Sequence, residues 1–232
     1  MTATILDGKN LSKITEESIK KRVEILSNEG VKPTLATILV GDDPASQTYI
    51  NAKVKACDEI GFKSSVIYYS QDISQDVLLN KIKCLNNDPH VHGLIVQLPL
   101  PAHFDEDIVT HTISYEKDVD GFHPVNIGRM VLGLPCYLPA TPFGIVSLIS
   151  EYSIETSGKK CLVIGRSHIV GTPISILMSR NKEFGNATVT LAHSRTRNLK
   201  SLCLNSDIII VAIGDPNFLK SDMVKKNAII ID

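Results

Sequence analysis

No CxxC pair occurs among the five cysteines of this 232-residue chain, Cys57, Cys84, Cys136, Cys161 and Cys203. Their odd number, wide spacing and mostly apolar or helical surroundings give no zinc pattern, so they read as reduced packing residues and no metal is expected. An excess of one charge sign is also missing. Lys and Arg number 24 against 25 Asp and Glu, a formal net charge of -1. No global field therefore draws the protein to nucleic acid or anionic lipid, and recognition has to be local. The N-terminus lacks the basic start and long apolar core of a signal peptide, and no stretch approaches the roughly 18 apolar residues of a membrane span. These absences lead to the expectation of a soluble cytoplasmic protein with small-molecule ligands, no nucleic-acid partner and no membrane.

The chain does contain a regular alternation. Apolar runs of strand length alternate with amphipathic helical segments, the pattern of parallel βαβ units, so the fold class is α/β. Helices are expected over Ser12–Asn28, Ser46–Ile60, Ser74–Leu85, Phe143–Tyr152 and after Pro173. Strands are expected over Thr34–Val40, Lys63–Tyr69, His92–Gln97, Lys160–Ile164, Thr188–Leu191, Asp207–Ala212 and Ala228–Ile231. Glycine and proline break any long regular element between Leu98 and Pro142. The length suits two domains, and the boundary is placed at the end of that segment, giving domains 1–142 and 143–232. The run Ala228–Ile231 reads as a buried parallel strand. A stop directly after it, at Asp232, leaves no covering helix, so the natural chain is expected to continue or the sequence to be a truncated record.

Four segments carry chemistry. In the helix after Gly41-Asp42-Asp43-Pro44-Ala45, a turn of about 100° per residue puts Ser46, Ile50, Cys57 and Ile60 on one face. Lys53 falls in the middle of that apolar arc and Tyr49 beside it. Such a lysine either snorkels to water past its own stem or is desolvated with a lowered pKa, able to act as acid and base near neutrality. Tyr49 would offer a flat ring to a planar heterocycle. Second, the strand leading to Gln97 ends in Leu98-Pro99-Leu100-Pro101, and ligands of open α/β sheets collect beyond such strand ends. Gln97 can there either serve a ligand or satisfy nearby backbone groups. Third, Lys117-Asp118-Val119-Asp120-Gly121 sets two acids on a turn, on the same side if the backbone is extended. The turn is too short for a calcium loop, and a solvated turn is its plainer reading beside a functional one. Fourth, the run from Cys161 to Ile164 enters Gly165-Arg166-Ser167-His168-Ile169-Val170-Gly171-Thr172-Pro173, a strand, glycine-bounded turn and helix start that suits a phosphate. Ser167 stands where GxGxxG has its second glycine. The next strand ends in His193-Ser194-Arg195 rather than the acid of an NAD enzyme, which with Arg166 suits a 2′-phosphate.

Together these segments resemble the bifunctional methylenetetrahydrofolate dehydrogenase/cyclohydrolase family, in Gly41–Gly61 with its Tyr-x-x-x-Lys, Gly93–Pro101, Lys117–Gly121, Pro139–Gly144 and Gly165–Pro173. The resemblance runs from Ile5 to Asp232. It departs at Ala140, where members usually have cysteine, and the family continues beyond the strand that ends at Asp232. It implies a catalytic α/β domain followed by a Rossmann-like NADP domain with a parallel sheet, a cleft between them, and a homodimer. It also implies a folate substrate bound by Ser46, Tyr49, Gln97, Leu98, Pro99 and Asp120, with Lys53, Gln97, Asp120 and Tyr49 in catalysis. NADP would be held by Thr141, Gly165, Arg166, Ser167, Ile169, Val170, Gly171, Pro173, His193, Ser194 and Gly214. The implied activity is NADP-dependent oxidation of 5,10-methylenetetrahydrofolate and hydrolysis of the methenyl product to 10-formyltetrahydrofolate. The alternative is another two-domain NADP oxidoreductase, such as a shikimate-dehydrogenase-like enzyme.

Overall fold

The computed structural model describes residues 3–232. Contacts divide the chain into two compact units, one of Asp7–Asn126 and one built on Ile127–Asp232.

The first unit holds helices α1 (Gly8–Asn28), α2 (Pro44–Ile60), α3 (Gln75–Asn87) and α4 (Glu106–Thr112), and strands β1 (Thr34–Val40), β2 (Lys63–Tyr69) and β3 (Gly93–Val96). The strands form a parallel sheet of order β2-β1-β3. The central strand β1 is buried along nearly its whole length, which is why it reads as a continuous apolar run. Ala36, Ile38 and Val40 meet Leu94 and Val96 and, from the helices, Leu78, Ile82, Leu85 and Val109. Each such large side chain, fully withdrawn from water, contributes roughly 1.5–3 kcal/mol. α2 packs on β1 as well, and α1 packs on α2.

Two helices, α1 and α2, begin earlier than the apolar periodicity alone indicates, because polar caps set their starts. The Asp7 carboxylate accepts the Asn10 N–H at 3.0 Å, so α1 opens at Gly8 rather than Ser12. The Asp43 carboxylate accepts the Ser46 N–H at 2.7 Å, and Pro44 takes the first helical position of α2. α4, unforeseen in the proline-punctuated stretch, is capped by Asp105 through the Ile108 N–H.

The second unit takes in the rest of α5 (Pro124–Leu132), then α6 (Ala140–Glu151), β4 (Lys160–Ile164), α7 (Gly171–Ser179), β5 (Thr188–Ala192), α8 (Leu199–Leu204), β6 (Ile208–Val211), a 3₁₀ turn at Ser221–Met223 and β7 (Ile229–Ile231). Its parallel sheet has the order β5-β4-β6-β7. One face packs Cys161, Val163, Ile208 and Ile210 against Ile149, Ile174, Leu177 and Met178. The other sets Leu162, Ile164, Ile209 and Val211 against Cys203 and Leu199. Ile127, Met130, Cys136 and Leu138 join the first of these clusters. By its contacts, the stretch between Ile127 and the expected boundary after Pro142 therefore goes with the second unit. The strand expected at Ala228–Ile231 is found as β7, paired in parallel with β6, with Ile230 44% exposed. All five cysteines are free, four of them at least partly buried and Cys84 exposed on α3.

Candidate active site

In the first unit, α2 turns Ser46, Ile50 and Cys57 inward and leaves Lys53 half-buried. The Lys53 ammonium donates to Gln97 Oε1 at 3.1 Å, a bond between α2 and the end of β3. Gln97 is fixed by two further contacts. Its backbone N–H continues the sheet ladder to the Ile38 carbonyl at 2.9 Å, and its Nε2 donates to the Leu98 carbonyl at 2.8 Å. With the amide nitrogen committed to Leu98, the amide oxygen faces Lys53. The Leu98–Pro99 peptide is cis, Leu98 half-buried and Pro99 exposed.

Asp120 is half-buried on the turn after Asp118. Burial pushes its carboxyl above the usual carboxylate range, the Lys53 ammonium opposes that rise, and the Asp118 carboxylate adds to it. The bond from Lys53 to Gln97 and the Lys53 charge acting on Asp120 place the three residues in one locality. Tyr49, one helical turn before Lys53, is 66% exposed, so its ring face is free to meet a planar ligand. Ser46 is buried and its N–H is committed to Asp43.

The acids of the Lys117–Gly121 turn do not lie on an extended backbone. Val119 N–H bonds to the Lys117 carbonyl and Gly121 N–H to the Asp118 carbonyl, winding the segment tightly. Nor is the turn simply solvated, because Asp118 is buried.

In the second unit, β4 runs into Gly165 and the chain returns at Gly171. A Cβ on Gly171 would come within 2.0 Å of the Gly165 carbonyl oxygen, and one on Gly165 within 2.3 Å of the Ala212 carbonyl oxygen. Neither backbone oxygen can rotate away, so only hydrogen fits. α7 starts at Gly171, two residues before Pro173, and its first N–H groups are not left open. The Ser167 hydroxyl accepts from Val170 and Gly171 at 3.1 and 3.3 Å, and the Ser167 carbonyl accepts from Thr172 at 3.0 Å. A serine in place of the usual second glycine therefore ties the turn together ahead of α7, whose N-cap is Val170. The sequence offered its position but not this use.

Arg166 and Ile169 are exposed on the same turn, Val170 is half-buried, and Pro173 is buried. His193 and Ser194 follow β5, and Gly214, with open space where a side chain would be, follows β6. The parallel sheet brings these strand ends to one edge. His193 Nδ1 accepts the Arg195 N–H at 3.2 Å, which fixes the other ring nitrogen as the donor in the neutral form. Thr141 is exposed in the first turn of α6. Among the described residues, no group of three or more His, Cys, Asp or Glu side chains could hold a metal ion.

A parallel sheet with a glycine-tight turn at its carboxyl edge, on a chain whose other unit carries a coupled lysine and carboxylate, defines a two-domain α/β enzyme with a dinucleotide-binding domain. Comparison with known proteins narrows this class. The model of the tetrahydrofolate dehydrogenase/cyclohydrolase catalytic domain matches residues 6–120, and that of the family's NAD(P)-binding domain matches residues 139–232. The bifunctional protein FolD of Cytophaga hutchinsonii is 56% identical over 98% of this chain and 79% of its own length. The crystal structure of the FolD dehydrogenase/cyclohydrolase of Campylobacter jejuni superposes with a TM-score of 0.95 at 46% identity, over 99% of this chain and 80% of that one. The FolD of Trypanosoma brucei, solved with NADP and an inhibitor, gives a TM-score of 0.93 at 30% identity, over 99% of this chain and 78% of that one. The chain belongs to the tetrahydrofolate dehydrogenase/cyclohydrolase family, and the shikimate-dehydrogenase-like alternative is set aside.

Proposed function

We propose that Lys53, Gln97 and Asp120 carry the folate chemistry of this protein, and that the turn Gly165–Gly171 with Arg166, His193 and Ser194 receives NADP. The family activity is the oxidation of 5,10-methylenetetrahydrofolate to 5,10-methenyltetrahydrofolate, followed by hydrolysis to 10-formyltetrahydrofolate. The observation that carries the assignment is the 3.1 Å bond from the Lys53 ammonium to Gln97.

The two steps ask different things of the chain. NADP, when bound, supplies the acceptor for the hydride that leaves the methylene carbon. The protein's part there is to orient the folate, with no acid or base needed at the reacting carbon. In the hydrolysis, water adds to the methenyl carbon and loses a proton, and the ring C–N bond then breaks as its nitrogen gains one. Both transfers benefit from a positioned acid–base group. Lys53 takes that role, held by the Gln97 amide oxygen. The Asp120 carboxylate accepts from the pterin N–H donors, Tyr49 stacks on the ring, and Leu98 and Pro99 line the position beside Gln97. Ser46 supports this from beneath, at the capped start of α2.

The donor set fits NADP. The glycine-tight turn, the exposed Arg166 and the absence of an acid after β5 suit a 2′-phosphate better than a bare ribose. Thr141, Ser167, Ile169, Val170, Pro173 and Gly214 complete the proposed contacts. We also infer a homodimer in the cytoplasm. Val131, Leu132, Leu134 and Tyr137, close together in sequence, are all exposed, Leu132 to 74%, and apolar side chains of this kind suit a surface that a second copy covers. Five free cysteines suit a reducing compartment. A monomeric mass in solution would contradict the dimer.

Turnover tests the main assignment. With 5,10-methylenetetrahydrofolate, the protein should form methenyl- and then 10-formyltetrahydrofolate, with NADP preferred to NAD. Equal or better use of NAD would overturn the assignment of Arg166, His193 and Ser194.

A further inference from the structure

Asp118 has no part in the chemistry above, yet it is the most deeply buried acid of its turn, at 3% exposure, two residues before Asp120. Its carboxylate accepts from three protein donors: the Phe122 N–H at 3.3 Å, the His123 N–H at 2.8 Å and the Asn126 side-chain amide at 2.8 Å. The same Asn126 nitrogen also donates to the Tyr115 carbonyl at 2.8 Å, so both of its hydrogens are used. A buried carboxylate costs stability unless it is satisfied in this way, and bonds to an ionised acceptor are the stronger kind.

The upstream half of the turn is fixed independently. The Leu94 N–H donates to the Lys117 carbonyl at 2.8 Å, and the Lys117 ammonium donates to the carbonyls of Leu85 and Asp88 at 2.9 and 2.7 Å. Val119 lies so close to Gly93 that a Cβ there would approach it to 2.7 Å. Asp120 thus sits between a part anchored to β3 and α3 and a part anchored by the Asp118 carboxylate. The charged groups facing Asp120 are Lys53 from α2 and Asp118 from its own turn.

We propose that Asp118 is a positioning residue for the folate reaction, fixing the downstream half of the turn that presents Asp120 and holding a second negative charge behind it. The proposal rests on the assignment of Asp120 to the folate site. It makes Asp118 act on Asp120 in two ways, through the geometry of the turn and through the like charge that discourages ionisation of Asp120.

The test compares Asp118→Asn, Asn126→Ala and Asp120→Asn in the dehydrogenase assay, with kcat, folate KM and NADP KM followed across pH. Asp118→Asn removes the charge and exchanges an acceptor for a donor. It should raise folate KM about tenfold while NADP KM stays near the parent value. The acid limb of the folate profile should move to lower pH, because ionising Asp120 no longer opposes a neighbouring charge. Asn126→Ala keeps the charge and removes one donor, so it should raise folate KM by about threefold with the limb in place. Asp120→Asn should raise folate KM and abolish the limb. An Asp120→Asn variant with parent folate KM overturns the folate-site assignment, and the Asp118 proposal with it. If Asp120→Asn is impaired while Asp118→Asn keeps the parent folate KM and limb, Asp118 is a structural acid only. Should Asp118→Asn fail to fold, an Asn126→Ala variant with unchanged folate KM overturns the proposal.

Discussion

Asp120 is held where ionisation is disfavoured, and its charge carries a stability cost. Burial and the Asp118 carboxylate raise its pKa, and Lys53 only partly offsets them. An acid whose folded pKa lies above its unfolded value binds more protons folded than unfolded. Stability therefore falls as pH rises from the unfolded to the folded pKa, and the cost is complete above the latter. Asp120→Asn is expected to melt at a higher temperature than the parent at neutral pH, with the gain vanishing below about pH 4, where the unfolded aspartate is protonated as well. Thermal melts across pH check this, and a variant less stable than the parent at neutral pH contradicts it. At this scale the sequence was informative about some residues and silent about others. Lys53 stood out because an ammonium broke an apolar helical arc, and Gln97 because it ended a buried strand. Asp118 and Asp120 looked alike in Lys-Asp-Val-Asp-Gly, since the donors that distinguish them come from Phe122, His123 and the side chain of Asn126. Ser167 reads as a departure from a glycine pattern, because a hydroxyl that accepts from Val170 and Gly171 within the turn is visible only once the turn is folded.

Among the elements, the turn between β4 and α7 is the least tolerant of change. A methyl group on Gly171 meets the Gly165 carbonyl and, behind it, the Arg166 nitrogen, both main-chain atoms. Gly171→Ala is expected to cost about 1–3 kcal/mol, the range for overpacking, and to weaken NADP binding as the turn opens. Thermal melting without ligand and a titration with NADP measure the two effects, and a variant as stable as the parent would contradict the close approach. The strand Lys160–Ile164 was legible to the residue because both its faces are buried, whereas helix ends depended on caps at Asp7 and Asp43 that periodicity ignores. The short helices α4, α5 and α8 carry too few turns for a period to emerge.

Across the whole molecule, two activities share one chain, and in the proposed mechanism they make different demands on the same residues. The two-unit organisation was readable from the alternation of strands and helices. Before Pro142 the prolines and glycines resemble a linker, while Ile127, Met130 and Leu138 pack into the second core. In the proposed mechanism Lys53, bonded to Gln97, moves protons in the hydrolytic step and is not required for hydride transfer. Replacing Lys53 with methionine keeps length and helix propensity while removing the ammonium, so folding should survive. The decisive measurement follows methenyltetrahydrofolate formation and its enzyme-dependent hydrolysis separately in Lys53→Met, corrected for spontaneous hydrolysis. The predicted result is a fall of about 10²–10⁴-fold in hydrolysis, a smaller loss in the dehydrogenase step, and accumulation of the methenyl intermediate. A well-folded Lys53→Met enzyme that hydrolyses methenyltetrahydrofolate at the parent rate would contradict the assignment.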